Sequence, residues 1–278
     1  MTDSSPPIPR SRQRRSTSRE RLVFVQPVRI ASDRDALAGL FQPASGKDTA
    51  VLICNPFGQE AIRAQRSLRV VSERLGRHGV PSLRFDYYGT GDSPGDDGEG
   101  RMSRWRLDIH QADARLRELT GCRSTIWLGL RMGATLALQA ADRTADAPLP
   151  RRIILWEPVL NGGSYLQHLS RMHEYWTRRS NIIDEALGFR IPDHLRVRWK
   201  EIQPDTFALP RHVSLDLVAH DALPGRLDFL NYASARTSVT EIPLETVIEW
   251  TSNTALASQW VPDDAIAALL DICTHPAS

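Results

Sequence analysis

A short apolar run at residues 125–128 leads directly into the sequence GLRMG at residues 129–133 and then into a helix-like stretch that contains Leu136. This order predicts a buried strand, a sharp turn and a helix that packs back against the strand. Glycines on both sides of the turn permit strained backbone conformations and a close approach of the helix. The pattern therefore predicts an α/β fold in which Arg131 occupies the turn at the carboxyl end of a strand.

Strand-like and helix-like stretches alternate along most of the chain. This alternation is typical of βαβ units and predicts a mostly parallel central sheet flanked by helices. Gly79 sits where the first predicted helix would end, and Pro262 suits the first turn of the last one. The predicted strands are 22–25, 37–41, 49–54, 82–85, 125–128, 152–156, 213–218 and 246–250, and the predicted helices are 63–78, 105–119, one around 136–138 and 262–273.

The strand pattern stops between residues 158 and 209. Because structureless loops of this length are uncommon in compact domains, we interpret residues 159–209, approximately, as a helical cap insertion. Ligands of such sheets bind at the carboxyl edge, so the cap is expected to cover the site. Trp176 and Trp199 in this segment could line an apolar acyl pocket, and ordinary packing within the cap is the alternative.

The charges are distributed unevenly along the chain. Of the 35 Lys and Arg residues, six arginines lie in residues 1–21, which contain only two acidic residues, so the rest of the chain is close to neutral. This basic tail is rich in Ser and Pro and is predicted to be disordered, because it cannot bury enough apolar surface to offset its ordering entropy. Residues 22–278 are predicted to form the folded domain.

Several functional classes are excluded by composition. The nearly neutral body argues against a nucleic-acid surface, and no apolar run is long enough to span a membrane. Cys54, Cys122 and Cys273 have neither metal-ligand spacing nor a disulfide framework, so we expect no metal and a cytoplasmic location. The sequence has neither a G-x-G-x-x-G motif nor a P-loop, so no cofactor is implied.

Three further segments accompany the turn. They are CNPFGQE at 54–60, LRFDYYGTGDS at 83–93 and LWEPVLNG at 155–162. With these four segments in order, residues 22–275 resemble the α/β-hydrolase superfamily, and within it the hydrolase-like proteins associated with exosortase and exopolysaccharide systems. The resemblance implies an α/β-hydrolase fold and a hydrolase acting on an acyl group.

The sequence departs from this family at the catalytic positions. The resemblance implies a serine at the centre of the turn, called the nucleophile elbow, but Arg131 stands there and a guanidinium cannot act as a covalent nucleophile. Asp221 matches the position of the acid, with loop capping as its alternative role. Residues 249–253, where the base is expected, contain no histidine. His220 could enter the cleft instead or simply be a loop residue.

The oxyanion half of the site is better preserved. Asn55 and Gly58 bound the loop that the resemblance places at the oxyanion hole, and the backbone amides of Phe57 and Met132 are its predicted donors. Arg131 has two possible roles. It could contact an anionic ligand, because guanidinium groups pair well with carboxylates, or it could pair structurally with an acidic neighbour such as Glu60 or Glu157.

Two functional hypotheses follow from these residues. In the first, the protein acts on or binds an acyl ester, a thioester or a carboxylate-bearing ligand, with altered machinery around Arg131, and Asp221 or His220 activates water. In the second, it is a non-catalytic pseudoenzyme that binds a ligand or a protein partner in a polysaccharide or lipid assembly system. Loss of the serine leaves enzymatic activity an open question, because a triad without it is typically slower by about 10⁶.

Overall fold

A central sheet of eight strands organises the structure, a computed structural model that describes residues 24–31, 35–46, 48–142, 148–178, 184–252 and 261–275. The predicted disordered tail at 1–21 lies outside these residues. The strands are β1 (Gln26–Ile30), β2 (Leu37–Gln42), β3 (Thr49–Cys54), β4 (Ser82–Phe85), β5 (Ser124–Leu130), β6 (Arg152–Trp156), β7 (Glu185–Ala186), β8 (Phe189–Arg190), β9 (Ser214–His220) and β10 (Val239–Leu244).

The strand order of the sheet is β1-β2-β4-β3-β5-β6-β9-β10, and β7 pairs with β8 in a separate hairpin. The pairings of β1 with β2 and of β2 with β4 are antiparallel, whereas all other pairings in the large sheet are parallel. Central strands such as β3 and β6 are almost entirely buried. Their continuous apolar sequences arise because helices cover both faces of a parallel sheet.

Helices pack on both faces of this sheet. They are α1 (Gly58–Arg77), α2 (Met102–Thr120), α3 (Met132–Ala140), α4 (Gly162–Thr177), α5 (Asp193–Lys200), α6 (Arg226–Ser234) and α7 (Asp263–Thr274). Helices α1 and α7 bury apolar side chains such as Leu68 and Ile266 in one core cluster. Helices α2 and α3 bury Trp105 and Leu136 in the cluster on the other face. The predicted fold class, a mostly parallel sheet flanked by helices, is therefore confirmed.

The segment between β6 and β9 contains α4, the β7–β8 hairpin and α5. It is the helical cap that the sequence predicts, with a hairpin that the sequence did not indicate. Helices α4 and α5 meet closely at Gly162, which begins α4. A Cβ atom added there would lie 1.6 Å from the carbonyl oxygen of Trp199.

The glycines of the elbow are explained by the same kind of close approach. A Cβ atom on Gly129 would lie 2.3 Å from Cα of Ala134, the third residue of α3. A Cβ atom on Gly133 would lie 2.3 Å from the carbonyl oxygens of Cys54 and Asn55. Helix α3 can therefore contact both β5 and the end of β3 only because these positions carry no side chain.

Of the strand predicted at 22–25, residues 22 and 23 lie outside the described residues, and residues 24 and 25 precede β1, which begins at Gln26. The second prediction, a strand at 246–250, was wrong, because these residues form a loop that follows β10. The apolar residues Ile248 and Trp250 led to the prediction of this strand. Their side chains are buried, although they lie in a loop. The true strand β10 was missed because it is an edge strand that contains Pro243 and few buried residues.

Candidate functional site

Arg131 lies at the elbow between β5 and α3. Its backbone has φ 53° and ψ −122°, a combination that is unfavourable for a residue with a side chain. The backbone amide of Arg131 donates to the carbonyl oxygen of Trp156, 3.0 Å away, and thereby holds the turn against β6. The strained turn directs the guanidinium to the carboxyl edge of the sheet.

The guanidinium of Arg131 forms a buried ion pair. Its Nε lies 2.9 Å from Oε1 of Glu60, a residue that is 1% exposed. Tyr165 of the cap donates its hydroxyl to the other oxygen of Glu60 at 2.8 Å, and its ring lies 5.6 Å from the guanidinium carbon. Burial opposes the charge of Arg131, but Glu60 and Glu157 outweigh it and raise the pKa of Arg131 above its ordinary value. The arginine is therefore held charged by structural partners.

Glu157 forms the second side of this cluster. Its backbone carbonyl accepts a hydrogen bond from Nη1 of Arg131 at 3.2 Å, and its Oε2 accepts one from Nε1 of Trp250 at 2.8 Å. Burial raises the pKa of the Glu157 carboxyl, although Arg131 and Trp250 act in the opposite direction. Within the described part of the chain, Nη2 of Arg131 makes no hydrogen bond, so this nitrogen remains available to a ligand.

A cleft of about 350 Å³ opens above the elbow, between the sheet edge and α4. This volume suits a small organic ligand. The ionisable residues in its wall are Arg131, Glu157, Tyr165, His168, Arg171, His220 and Glu249. The apolar residues in its wall include Val159, Leu160, Leu223, Val247, Ile248 and Trp250.

His220 and Asp221 differ in their placement. His220 ends β9 and lines the cleft together with Arg131. Its Nδ1 lies 3.0 Å from the backbone amide of Ala222 and accepts its hydrogen, so the proton of the neutral ring lies on Nε2. Asp221 does not line this cleft; its side chain is 75% exposed and pairs with Arg226 at 3.2 Å.

The predicted oxyanion residues are not brought to this cleft. Phe57 and Met132 are 8% and 0% exposed, and they line a separate void of about 10 Å³. A void of this size holds about one water molecule. Asn55 also borders it, but the Asn55 side chain donates to the carbonyl oxygen of Phe85 at 2.7 Å. Gly58 begins α1. The role of these four residues in an oxyanion hole stays a prediction.

Two cleft residues were missed by the sequence analysis. Nε2 of His168, on α4, lies 3.2 Å from Oε1 of Glu249, in the loop after β10. Thr251 donates its hydroxyl to the same oxygen at 2.5 Å. Although burial acts to raise the pKa of Glu249, these hydrogen bonds lower it to about 2. Glu249 follows the last strand, where a base was expected, but no sequence pattern pairs it with a histidine of the cap.

The two carboxyl groups of the cleft are expected to respond to pH in opposite directions. A raised pKa at Glu157 means that the folded protein binds extra protons, so its contribution to stability falls as the pH rises above the ordinary value of 4.5. The lowered pKa of Glu249 gives a contribution that is complete above pH 4.5 and is lost as the pH falls towards about 2.

Urea denaturation from pH 3 to pH 8 measures this difference. The free energy of unfolding of Glu157→Gln, relative to that of wild type, should increase as the pH rises. That of Glu249→Gln, relative to wild type, should decrease as the pH rises from 3 to about 5. The two variants serve as controls for each other, because each removes one carboxyl from the same cleft. Differences from wild type that vary with pH in the same direction for both variants would contradict the assignment.

Comparison with solved structures shows which known proteins share this architecture. Est1E from Butyrivibrio proteoclasticus, in a structure with ferulic acid bound, is 15% identical with a TM-score of 0.60, over 88% of this chain and 98% of that one. The Pyrococcus furiosus esterase Pf2001 is 16% identical with a TM-score of 0.60, over 90% of each chain. XC6422 from Xanthomonas campestris, described as an α/β serine hydrolase without a lid, is 13% identical with a TM-score of 0.54, over 91% of this chain and 96% of that one.

These similarities establish that the chain has the α/β-hydrolase fold. The strand order and the elbow agree with that assignment. No protein-family model matches the sequence, and no curated protein matches it significantly. Among the helices of the described residues, none has the length and apolar character needed to cross a membrane.

Proposed function

We propose that the cleft binds a small acyl ester or thioester and that the elbow residue forms no acyl-enzyme with it. The observation that carries this proposal is the buried pairing of Arg131 with Glu60 at the elbow. A guanidinium held in its charged form offers only hydrogen-bond donors, so it can bind a carbonyl oxygen but cannot attack a carbonyl carbon.

The charges around the cleft favour an uncharged acyl group over a free carboxylate. Arg131 and Arg171 line the cleft together with the carboxyl groups of Glu157 and Glu249, and Glu60 already compensates Arg131. A carboxylate ligand would therefore add a negative charge to a site without an unpaired excess of positive charge. An ester carbonyl needs only hydrogen-bond donors.

Two donors are available for such a carbonyl oxygen. They are Nη2 of Arg131 and the Nε2–H group of His220. Apolar wall residues such as Leu223 and Val247 offer contacts for an acyl chain. Est1E shares the fold and is described with ferulic acid bound, which supports a small organic ligand for this chain as well.

Two finer parts of the proposal rest on the sequence. The four motifs support a relationship to the hydrolase-like proteins associated with exosortase and exopolysaccharide systems, and the cysteines, which form no disulfide framework, support a cytoplasmic location. The alternative function is that of a non-catalytic protein. In that case the cleft binds the acyl ligand, or presents it to a protein partner, without turnover.

The test uses 4-heptanone, a ketone that copies ethyl butyrate but cannot be hydrolysed, in a saturation-transfer NMR titration at pH 7.5. Wild type should bind it saturably and more tightly than butyrate. His220→Ala should weaken binding about 2- to 10-fold, as expected for one lost hydrogen bond. His212→Ala is the matched control, because His212 is exposed and lies outside the cleft wall.

A second arm treats the protein with a fluorophosphonate, which labels activated serines. No label should be incorporated into wild type. Stoichiometric labelling of a serine, or no saturable binding of 4-heptanone, would overturn the proposed function.

A further inference from the structure

We propose that His168 is the general base of the cleft, that it activates a water molecule for direct attack on the bound acyl carbonyl, and that Glu249 is its positioning residue. The proposal rests on the proposed function, because it requires an ester in the cleft. It adds an activity, ester hydrolysis without a serine nucleophile, and places the base on the cap helix α4.

The contacts of His168 define which ring nitrogen can accept a proton. Nε2 lies 3.2 Å from Oε1 of Glu249, and an ionised carboxylate can only accept hydrogen bonds. We therefore assign the ring hydrogen to Nε2, which leaves a lone pair on Nδ1. Within the described residues Nδ1 has no hydrogen-bond partner and is not fully buried, and the His168 side chain lines the cleft.

His168 and Glu249 each lie close in sequence to a residue that contacts the elbow cluster. On α4, His168 lies one helical turn after Tyr165, whose ring contacts the guanidinium of Arg131. In the loop after β10, Glu249 precedes Trp250, whose indole donates to Glu157, and Glu157 in turn accepts from Arg131. The base and the carbonyl-binding donors therefore belong to one connected wall of the cleft.

Water is the nucleophile because the hydroxyl groups near His168 are unsuited to attack. Thr251 lies 3.3 Å from Nε2 of His168, but it is fully buried and its hydroxyl donates to Glu249. Ser164 is the only serine, threonine or cysteine among the described residues that line the cleft. Its hydroxyl makes no hydrogen bond to a histidine within the described part of the chain.

The reaction balances without another reactant. A water oxygen bonds to the acyl carbon while Nδ1 of His168 takes one of the water protons, and the carbonyl electrons move to the oxygen held by Arg131 and His220. When the tetrahedral intermediate collapses, the bond between the acyl carbon and the alcohol oxygen breaks. His168 returns its proton to the departing alkoxide, and the products are the free acid and the alcohol.

The test follows phenol release from phenyl butyrate at pH 7.5. Wild type should show steady turnover without an initial burst, since no acyl-enzyme accumulates. His168→Gln should lower kcat about 100-fold or more, the magnitude of general base catalysis, while affinity for 4-heptanone changes less than about threefold. Added imidazole should restore part of the activity of His168→Ala. His212→Gln, outside the cleft wall, should behave as wild type.

Glu249 is tested by conservative replacement. Glu249→Gln should lower kcat and leave the binding of 4-heptanone intact, and Glu249→Asp should recover part of kcat. A purely structural role would affect binding and turnover together. Retained binding of 4-heptanone also shows that each variant is folded.

The outcomes distinguish a failure of the base assignment from a failure of the proposed function. If wild type binds 4-heptanone but releases no phenol above the buffer rate, or if His168→Gln turns over at the wild-type rate, the base assignment is overturned and the proposed function stands. If 4-heptanone does not bind, both fail. A stoichiometric burst of phenol would demonstrate an acyl-enzyme and overturn both.

Discussion

Replacement of Glu60 by Gln is expected to lower the free energy of unfolding by about 3–5 kcal/mol, the usual cost of leaving one member of a buried ion pair without its partner. Nε of Arg131 lies 2.9 Å from Glu60, and the side chains of Arg131 and Glu60 are 16% and 2% exposed, so solvent cannot replace the lost carboxylate. Tyr165 also donates its hydroxyl to Glu60. Urea denaturation followed by tryptophan fluorescence measures the effect.

A double-mutant cycle isolates the ion pair from other effects of the substitution. Glu60→Gln combined with Arg131→Met removes both charges and should recover much of the lost stability, because no uncompensated charge remains. Glu73→Gln is the matched control on the same helix, since Glu73 forms an exposed pair with Arg69 and should change stability by less than about 1 kcal/mol. Additive single and double effects would show that Arg131 and Glu60 do not stabilise each other.

Gly162→Ala is expected to destabilise the protein by about 3 kcal/mol, at the upper end of the range for overpacking. The new methyl group would lie 1.6 Å from the carbonyl oxygen of Trp199, a backbone atom that cannot move without shifting α5. The backbone amide of Gly162 also donates to Ile202 at 3.0 Å, so α4 cannot easily move away. The denaturation midpoint in urea reports the change.

The neighbouring glycine provides the control. Gly163 is exposed, and the nearest atom to an added Cβ is Oδ1 of Asn161 at an ordinary 3.5 Å. Gly163→Ala should therefore be neutral or stabilise the protein by up to about 1 kcal/mol through the reduced entropy of the unfolded chain. Equal losses for the two variants would mean that the approach of α4 to α5 is not the cause.

The parts of the fold that were predictable from sequence are those with continuous burial. The strands at 49–54, 82–85 and 152–156 were predicted with the observed bounds, because each is a central strand whose apolar run is interrupted only at its edges or, in β4, by the single residue Arg84. Strand β10 and helix α6 were missed. Both bury few side chains, so their sequences show little periodicity.

The residues of the candidate site also differ in how far the sequence predicts them. The elbow and its unusual Arg131 were visible in sequence because glycines flank one local turn, and Glu60 and Glu157 were named as possible partners of the arginine. The pair of His168 and Glu249 was not visible, since it joins residues 81 positions apart on two elements that meet only in the folded chain. Contacts between side chains that are distant in sequence depend on tertiary packing, and no local sequence pattern predicts them.

The ion pair at the elbow limits which single substitutions the chain tolerates there. Arg131→Ser would recreate the residue found at this position in serine hydrolases, but it would leave Glu60 buried without a counter-charge. The new serine would also lack a histidine supplied by residues 245–252 after β10, where the chain carries Glu249. The single substitution Arg131→Ser is therefore expected to reduce stability without supplying a serine–histidine pair between the elbow and the loop after β10. Selection that acts one substitution at a time is therefore expected to retain Arg131 as long as Glu60 is present.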